Sequence, residues 1–416
     1  MNNVLLIEHD GENIINNIRI LLEMDLKLFV ATTNTPKWLL KLIPEENIIL
    51  TDTFNSVTLP VEIETFTSTH GIKLDAVGTF GEDNVTQVAD LADALGLVGV
   101  PPHAARRSSN NKLLMRRFCK EAGIKTPNYS VVSRLDVNEL RAAIKDVPPP
   151  CVVKPAAFGS RSCGTVKIMP DSDLNQVIEE IKLTTTTSIK ESFKNYHGTL
   201  IVEEYMPGRV ISIDGIIQNG SIYFFGSVEY AMSLEPWFTQ ESYKIPADLT
   251  PQQLLKSEEL VKKIIKALNF DNCAFHCEQK ISDNEPMLLE IAARLPGGRI
   301  PACYKRANGI DPIALLWNVL LGKKITVPKP IYKNHVIEKP VYPLKNGRLV
   351  KLEGLEEAEK TKGVWFFKLN DEVGENAVTY PQLPQAIYFY GLEADTAQEL
   401  KDKMSELESK VHMTII

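Results

Sequence analysis

The chain has 416 residues, 44% of them hydrophobic, 24% charged and 7% aromatic, an ordinary globular composition with length for two or three domains. Fifty-three acidic against 46 basic residues give a formal charge of −7, so no global positive field exists to hold a polyanion, and nucleic acid is not expected as a partner. Six cysteines without paired CxxC motifs, an amino terminus with no basic run before its apolar residues, and no stretch near the roughly 18 apolar residues of a membrane span lead us to expect a cytoplasmic protein away from membranes.

In chain order, residues 4–7 read as a buried strand, 12–22 as an amphipathic helix, 28–30 as a second strand and 76–78 as a third. Val85, Val88, Ala89, Ala92 and Leu95 recur at helical spacing up to Gly96, which suits the left-handed position after a helix. This alternation predicts a parallel α/β domain over residues 1–105. A helix is expected over 112–122, with Ser108, Ser109 and Asn110 as capping candidates and Gly123 behind it. The prolines at 148–150 break the chain ahead of a strand at 151–154, a loop of small residues, and another strand at 165–168. The threonines at 184–187 read as loop. Four prolines in 323–345 mark a boundary, followed by a β-rich segment closed by a helix near 396–411. No internal repeat is visible.

Residues 273–281 and 287–294 flank Ser282, Asp283, Asn284, Glu285 and Pro286, which predicts an antiparallel hairpin centred on Asn284. Partner positions then sum to 568, and Glu278 lies opposite Glu290. His276, Lys280, Leu288, Ala292 and Arg294 share that face; Phe275, Cys277, Leu289 and Ile291 form the apolar one. Two carboxylates directly opposite repel unless a cation occupies the space between them. A hard divalent ion such as Mg²⁺ on nucleotide phosphates meets that need and accounts for Arg294. A solvated face with Lys280 neutralising one glutamate meets it as well. Zinc at Cys273, His276 and Cys277 is not expected, because four ligands are needed and no second half appears.

Gly159, Ser160, Arg161, Ser162, Cys163 and Gly164 lie between the strands that carry Lys154 and Lys167. Glycine at both ends permits close approach to an anion, and hydroxyls and a guanidinium can donate to phosphate oxygens. No helix and no Lys-Ser pair follow, so this reads as a flap over phosphates rather than a P-loop; an ordinary hairpin loop has the same composition. Lys154 ends an apolar strand, delivering a charge to a cleft or guarding an edge. Lys112 sits in a first helical turn, where the macrodipole disfavours a cation unless an anion is near. The strand ending at Glu203 and Glu204, running into Met206, can offer backbone groups and one carboxylate to a purine edge.

Taken in order, Lys112, Lys154 with its glycine loop, Glu203 to Met206, Glu278, and Glu290 to Arg294 resemble the ATP-grasp superfamily over nearly the whole chain. The 12-residue interval between the two glutamates is similar to its biotin-carboxylase-like branch. The resemblance implies an α/β and α+β multidomain fold: an amino-terminal parallel α/β domain (1–105), an ATP-grasp subdomain with a glycine-rich lid (106–195), a catalytic ATP-grasp subdomain (196–325) and a β-rich carboxyl-terminal extension (326–416). It further implies an ADP-forming ligase that joins a carboxylate to an amine through an acyl phosphate. ATP would be held by Lys112, Lys154, Gly159, Ser160, Ser162, Gly164, Glu203 and the backbone of Glu204 and Met206. Glu278 and Glu290 would bind one or two Mg²⁺ ions, with Mn²⁺ an alternative, and Arg294 would stabilise the tetrahedral intermediate. The family commonly has Asn where this chain has Ala292, which leaves the second ion one ligand short.

Within the superfamily the layout resembles the L-amino-acid ligases that make dipeptides, so both small-molecule substrates are expected to be amino acids and the protein a homodimer. Glu82, between a predicted strand and a helix, would hold a substrate ammonium; His276 is a further substrate contact; Gly297 and Gly298 would offer backbone amides to a carboxylate. Two rival readings stand beside this one. An ATP-dependent carboxylase or purine-pathway ligase shares the nucleotide apparatus, and a nucleotide-binding regulator without turnover is disfavoured by the retention of Glu278, Glu290 and Arg294.

Overall fold

Apolar runs broken by amphipathic segments give the amino-terminal part a parallel sheet of β1 (Asn2–Ile7), β2 (Leu26–Thr32), β3 (Ile48–Leu50) and β4 (Ala76–Gly78), in the order β3-β2-β1-β4. The computed structural model describes residues 1–8, 14–157, 162, 164–186, 198–233, 235, 238–379 and 385–416. The central strand is apolar at every inner position because both its faces are covered. Leu5 and Ile7 pack under Leu59 and Ile63 of the helix Thr58–His70. Val4 and Leu6 face Ile18 and Leu21 of the helix Ile15–Glu23, and beyond them Trp317 of the helix Pro312–Leu320.

The second sheet holds β5 (Tyr129–Val132), β6 (Cys151–Pro155), β7 (Val166–Ile168) and β8 (Leu200–Glu204), antiparallel in the order β5-β8-β6-β7. Leu140, Ala143, Ile178 and Ile181 from the helices Val137–Asp146 and Leu174–Thr186 cover it. The threonine tract, expected as loop, continues the second of these helices through Thr186. The hydroxyls of Thr184 and Thr185 donate back to the carbonyls of Glu180 and Ile181, which satisfies them without leaving the helix. The helix Lys112–Glu121 is capped by Asn111, whose side chain accepts from the Leu114 amide, one residue beyond the expected caps.

The largest sheet is antiparallel. Its strands are β9 (Arg209–Gln218), β10 (Ser221–Met232), β11 (Gln240–Ile245), β12 (Ala274–Ser282), β13 (Glu285–Ala292), β14 (His335–Val341), β16 (Val364–Leu369) and β18 (Tyr388–Ala394). They run in the order β13-β12-β9-β10-β11-β14-β18-β16. The carboxyl-terminal segment therefore extends the same sheet that carries the glutamate hairpin. A small sheet, β17-β15-β19, joins β15 (Gly347–Glu353), β17 (Asn376–Ala377) and β19 (His412–Ile415), and the helix Ala397–Lys410 is followed by β19 rather than closing the segment. Among the described residues no helix is long and apolar enough to cross a membrane.

The hairpin β12–β13 keeps the expected register where it matters, with Glu278 opposite Glu290, Cys277 opposite Ile291 and His276 opposite Ala292. Below Glu278 a bulge shifts the pairing by one, so that Gln279 faces Leu288 and Lys280 faces Met287. The connection tightens to a two-residue turn at Asp283 and Asn284, both left-handed at φ 50° and 64°. The bulge reverses one expectation: Leu288 joins Phe275, Cys277 and Ile291 in the core, and Leu289 turns to the opposite face.

The segment Pro207–Gly208 leads from the second sheet into the third. Gly208 has φ +108°, and an added Cβ would run into the Ile281 carbonyl of β12. We expect Gly208→Ala to cost about 1–3 kcal/mol of stability, read as a lower urea midpoint; an unchanged midpoint would show that this junction is not sterically fixed.

Candidate functional site

A solvent-open cleft lies between the second and third sheets. Lys154 on β6 and Glu203 on β8 line one wall; Tyr230, Glu278, Leu289 and Glu290 from the third sheet line the other. Lys112 also lines the cleft, and Met206 lies on the segment that joins the two sheets. The lining of the cleft is part apolar and part charged, the mixture that small-molecule sites show.

On the second-sheet side three charges are buried together. Glu203 receives Arg116 Nε at 2.6 Å on one carboxylate oxygen and Lys154 Nζ at 2.7 Å on the other. Burial alone would raise the Glu203 carboxyl, but the two cations hold it down at about 2. Burial lowers the Lys154 ammonium from its ordinary value against the pull of Glu203. Each Glu203 oxygen keeps a lone pair for a further donor. The amide of Glu204 donates to the Asn128 carbonyl at 2.9 Å.

The facing glutamates are compensated unequally. His276, expected against substrate, has both ring nitrogens on carboxylates: Nδ1 lies 2.7 Å from Asp214 and Nε2 lies 3.2 Å from Glu278. Its ring is enclosed, so the structure gives it the task of orienting Glu278. Burial would neutralise the imidazole, yet Asp214 and Glu278 push its pKa up to about 10, and it stays cationic at neutral pH. Asp214 is fixed in turn by the hydroxyls of Tyr304 at 2.8 Å and Ser212 at 3.0 Å. Burial works against the Glu278 charge, but His276 and Arg294 hold its carboxyl below the usual range. Glu290 behaves oppositely. Burial raises it, and among the described residues its nearest cation is Lys112 Nζ at 3.8 Å, beyond hydrogen-bond reach.

Arg294, just past β13, pairs through Nε with Glu82 at 2.5 Å and donates to the Leu295 carbonyl at 2.6 Å. Glu82 also accepts from the Ser109 hydroxyl at 2.5 Å, so this carboxylate of the amino-terminal domain is brought against the end of the glutamate hairpin. Gly297 and Gly298 follow. Gly298 is left-handed at φ +60°, and a Cβ there would sit 2.9 Å from the Tyr243 hydroxyl. That hydroxyl accepts the Arg299 amide at 2.9 Å and donates to Glu338, which also pairs with Arg299 at 3.0 Å.

Of the expected lid residues, Ser162 lines the cleft at φ 57° and Gly164 is left-handed against Pro155. Gly159 and Ser160 lie outside the described residues.

Two functional residues escaped the sequence reading. Arg116 is one helical turn beyond Lys112, and a second cation on the face that buries Met115 and Cys119 implies a buried acid. Asp214 interrupts an apolar run within β9, and a carboxylate there requires a partner. Both signals announce compensation without naming the partner, which comes from distant strands.

Glu278 and Glu290 present hard oxygen donors to the cleft, and among the described residues no cation comes within hydrogen-bond reach of Glu290. Among the described residues no group of three His, Cys, Asp or Glu side chains could hold a metal ion by itself, so an ion here would need oxygens from a bound ligand. That suits Mg²⁺ shared with phosphates.

Comparison with known proteins bears on the fold and the relatives of this chain. Residues 147–302 match the ATP-grasp domain family. An alanine–anticapsin ligase of Bacillus subtilis is 28% identical, the match covering 66% of this chain and 61% of that protein. A dapdiamide A synthase of Enterobacter agglomerans is 24% identical over 58% of this chain and 55% of its own length. The crystal structure of an L-amino acid ligase from Bacillus licheniformis superposes with a TM-score of 0.84 over 100% of this chain and 99% of that one, at 18% identity, which shows the fold. The chain thus spans 61% of the length of the alanine–anticapsin ligase it matches.

A carboxylate whose folded pKa is raised destabilises the fold above its unfolded pKa and costs nothing below it. Glu290→Gln should therefore raise the thermal midpoint of the ligand-free protein at pH 8, and the gain should vanish as the pH falls below the ordinary carboxylate range. A lower midpoint at pH 8 would mean that Lys112 already compensates the charge.

Proposed function

From a chain that carries an ATP-grasp domain over residues 147–302, we propose an ATP-dependent, ADP-forming ligase that joins an amino acid carboxylate to an amine, in the first instance a second amino acid. The observation that carries this reading is the register of Glu278 opposite Glu290 on a cleft wall, facing the buried ammonium groups of Lys112 and Lys154. Anionic donors and cations alternating around one cleft suit a polyphosphate accompanied by a divalent ion, and neither charge sign alone would.

In this reading Lys112 and Lys154 bind the phosphates, Glu203 accepts from the adenine amino group, and the Glu204 carbonyl and the Met206 segment border the base. Glu278 and Glu290 would hold Mg²⁺, which when bound neutralises phosphate charge. His276 and Asp214 keep Glu278 ionised and aimed. Ala292 lies opposite His276, so the strand offers no third side-chain ligand at that level. The reaction has two displacements. A substrate carboxylate oxygen attacks the γ-phosphorus and ADP leaves; the amine nitrogen then attacks the acyl carbon, phosphate leaves, and the nitrogen loses a proton. Arg294 is placed to stabilise the negative charge of the second step. Ser162 and Gly164 belong to the segment that would cover the cleft and keep water from the acyl phosphate.

The Glu82–Arg294 pair favours amino acids over simple carboxylates. A zwitterion carries the two charges of that pair in mirrored order, so its carboxylate can engage Arg294 while its ammonium engages Glu82. The relatives named as alanine–anticapsin ligase and dapdiamide A synthase support this choice of chemistry.

Incubation with ATP, Mg²⁺ and pairs of L-amino acids should release phosphate in proportion to a condensed product identified by mass spectrometry. Glu290→Gln and Arg294→Ala should each lower turnover by about 10²-fold or more with the fold retained. Phosphate release that depends on bicarbonate, without amide product, would instead identify a carboxylase, and near-normal rates in both variants would remove the site.

A further inference from the structure

Arg116 has no solvent exposure, and no step of the chemistry above uses it. Its guanidinium joins three elements. Nε is 2.6 Å from Glu203 on β8, while the two terminal nitrogens donate to the carbonyls of Leu288 at 3.1 Å and Leu289 at 2.7 Å on β13. The helix that supplies it, Lys112–Glu121, supplies Lys112 one turn earlier.

The two β13 carbonyls lie at the bulge of the hairpin, where Leu289 turns into the cleft and Leu288 into the core. One side chain therefore fixes a polar feature and an apolar wall of the same cleft. A lysine could not do this, since a single ammonium lacks the planar fork that reaches a carboxylate and two carbonyls at once.

Resting on the nucleotide reading given above, we propose that Arg116 is a positioning residue for base selection: it locks the Glu203 carboxylate and the bulged edge of β13 into one unit that accepts a purine donating at its 6-position and rejects one that accepts there. Adenine presents an amino group at that position and hypoxanthine a carbonyl. A carboxylate clamped on both oxygens can only accept. Facing an amino group it gains a hydrogen bond; facing a carbonyl it sets two acceptors against each other, and both forgo the donors that water would supply. Lys154 alone would leave the carboxylate pinned at one oxygen, free to turn away from a carbonyl, and the Leu289 wall would lose its anchor.

Calorimetric titration with ADP and with IDP, both in Mg²⁺ buffer, tests this. The wild-type protein should prefer ADP. Arg116→Lys should reduce the ADP-over-IDP ratio by about tenfold or more. Glu203→Gln should reduce it similarly, and the double variant should show no further loss, because both substitutions act through the same carboxylate. If Arg116→Lys fails to fold, Arg116→Gln, which retains a donor for the Leu289 carbonyl, reads the same ratio. A residue with a merely structural role would weaken ADP and IDP in equal proportion, and an unchanged ratio in the folded variants overturns the proposal. A wild-type protein that binds ADP and IDP equally would likewise overturn the proposal, whereas one that binds neither would overturn the nucleotide reading on which it rests.

Discussion

Two carboxylates facing each other across adjacent strands, enclosed in a protein, form the constraint around which the cleft is arranged. Glu278 and Glu290 cannot both be ionised there without cations nearby, and the chain supplies those cations from separate places. His276 comes from the same strand as Glu278, Lys112 from a helix start, and Arg294 from the end of the hairpin. Lys154 comes from the other sheet. Because Arg294 also binds Glu82, the charge balance extends into the amino-terminal parallel domain. Electrostatic compensation thereby fixes how three sheets meet, which hydrophobic packing, being non-directional, would specify less tightly.

Local signals made part of this architecture legible. The apolar runs of β1, β2 and β4, the helix ending before Gly96, and the polar spacer between two alternating strands each place an element by its own residues. The register that sets Glu278 against Glu290 follows from that spacer, and it survives because the bulge falls one residue further along. The bulge itself has no local signature. No glycine marks it, and its carbonyls are held by Arg116, 172 residues away from Leu288 in sequence. The sequence reading therefore exchanged Leu288 and Leu289. The threonine tract failed for a related reason: back-bonding to helix carbonyls makes threonine tolerable where composition alone suggests loop.

Long-range pairing also hid how much of the large sheet belongs to the carboxyl-terminal segment. β14 pairs with β11 so that Glu338 stands opposite Tyr243, and the two meet Arg299 behind Gly298. The Arg299 guanidinium lies 3.6 Å from the centre of the Phe366 ring on β16. A segment that reads as an appendage thus supplies a carboxylate and an aromatic face that hold the turn after Arg294. Proline-rich composition gave a boundary expectation there, but only the pairing of distant strands brings β14 beside β11 and behind Gly298.

The buried carboxylates differ in a way that separates holding from binding. Glu203 takes two close cations, which hold its carboxyl well below the usual range. Glu278 takes one imidazolium, itself steadied by Asp214. Glu290 has an ammonium at 3.8 Å and remains under-compensated, its carboxyl raised by burial. A half-buried carboxylate whose cation stays beyond hydrogen-bond reach costs the ligand-free fold stability. Had the residue served stability alone, a neutral side chain of the same shape would do better. A carboxylate that costs stability in the ligand-free protein, next to another held ionised and aimed, is what a cation arriving with a ligand requires. From Glu203 through Glu278 to Glu290 the compensation within the chain therefore falls, from a framework carboxylate to one with an open valence.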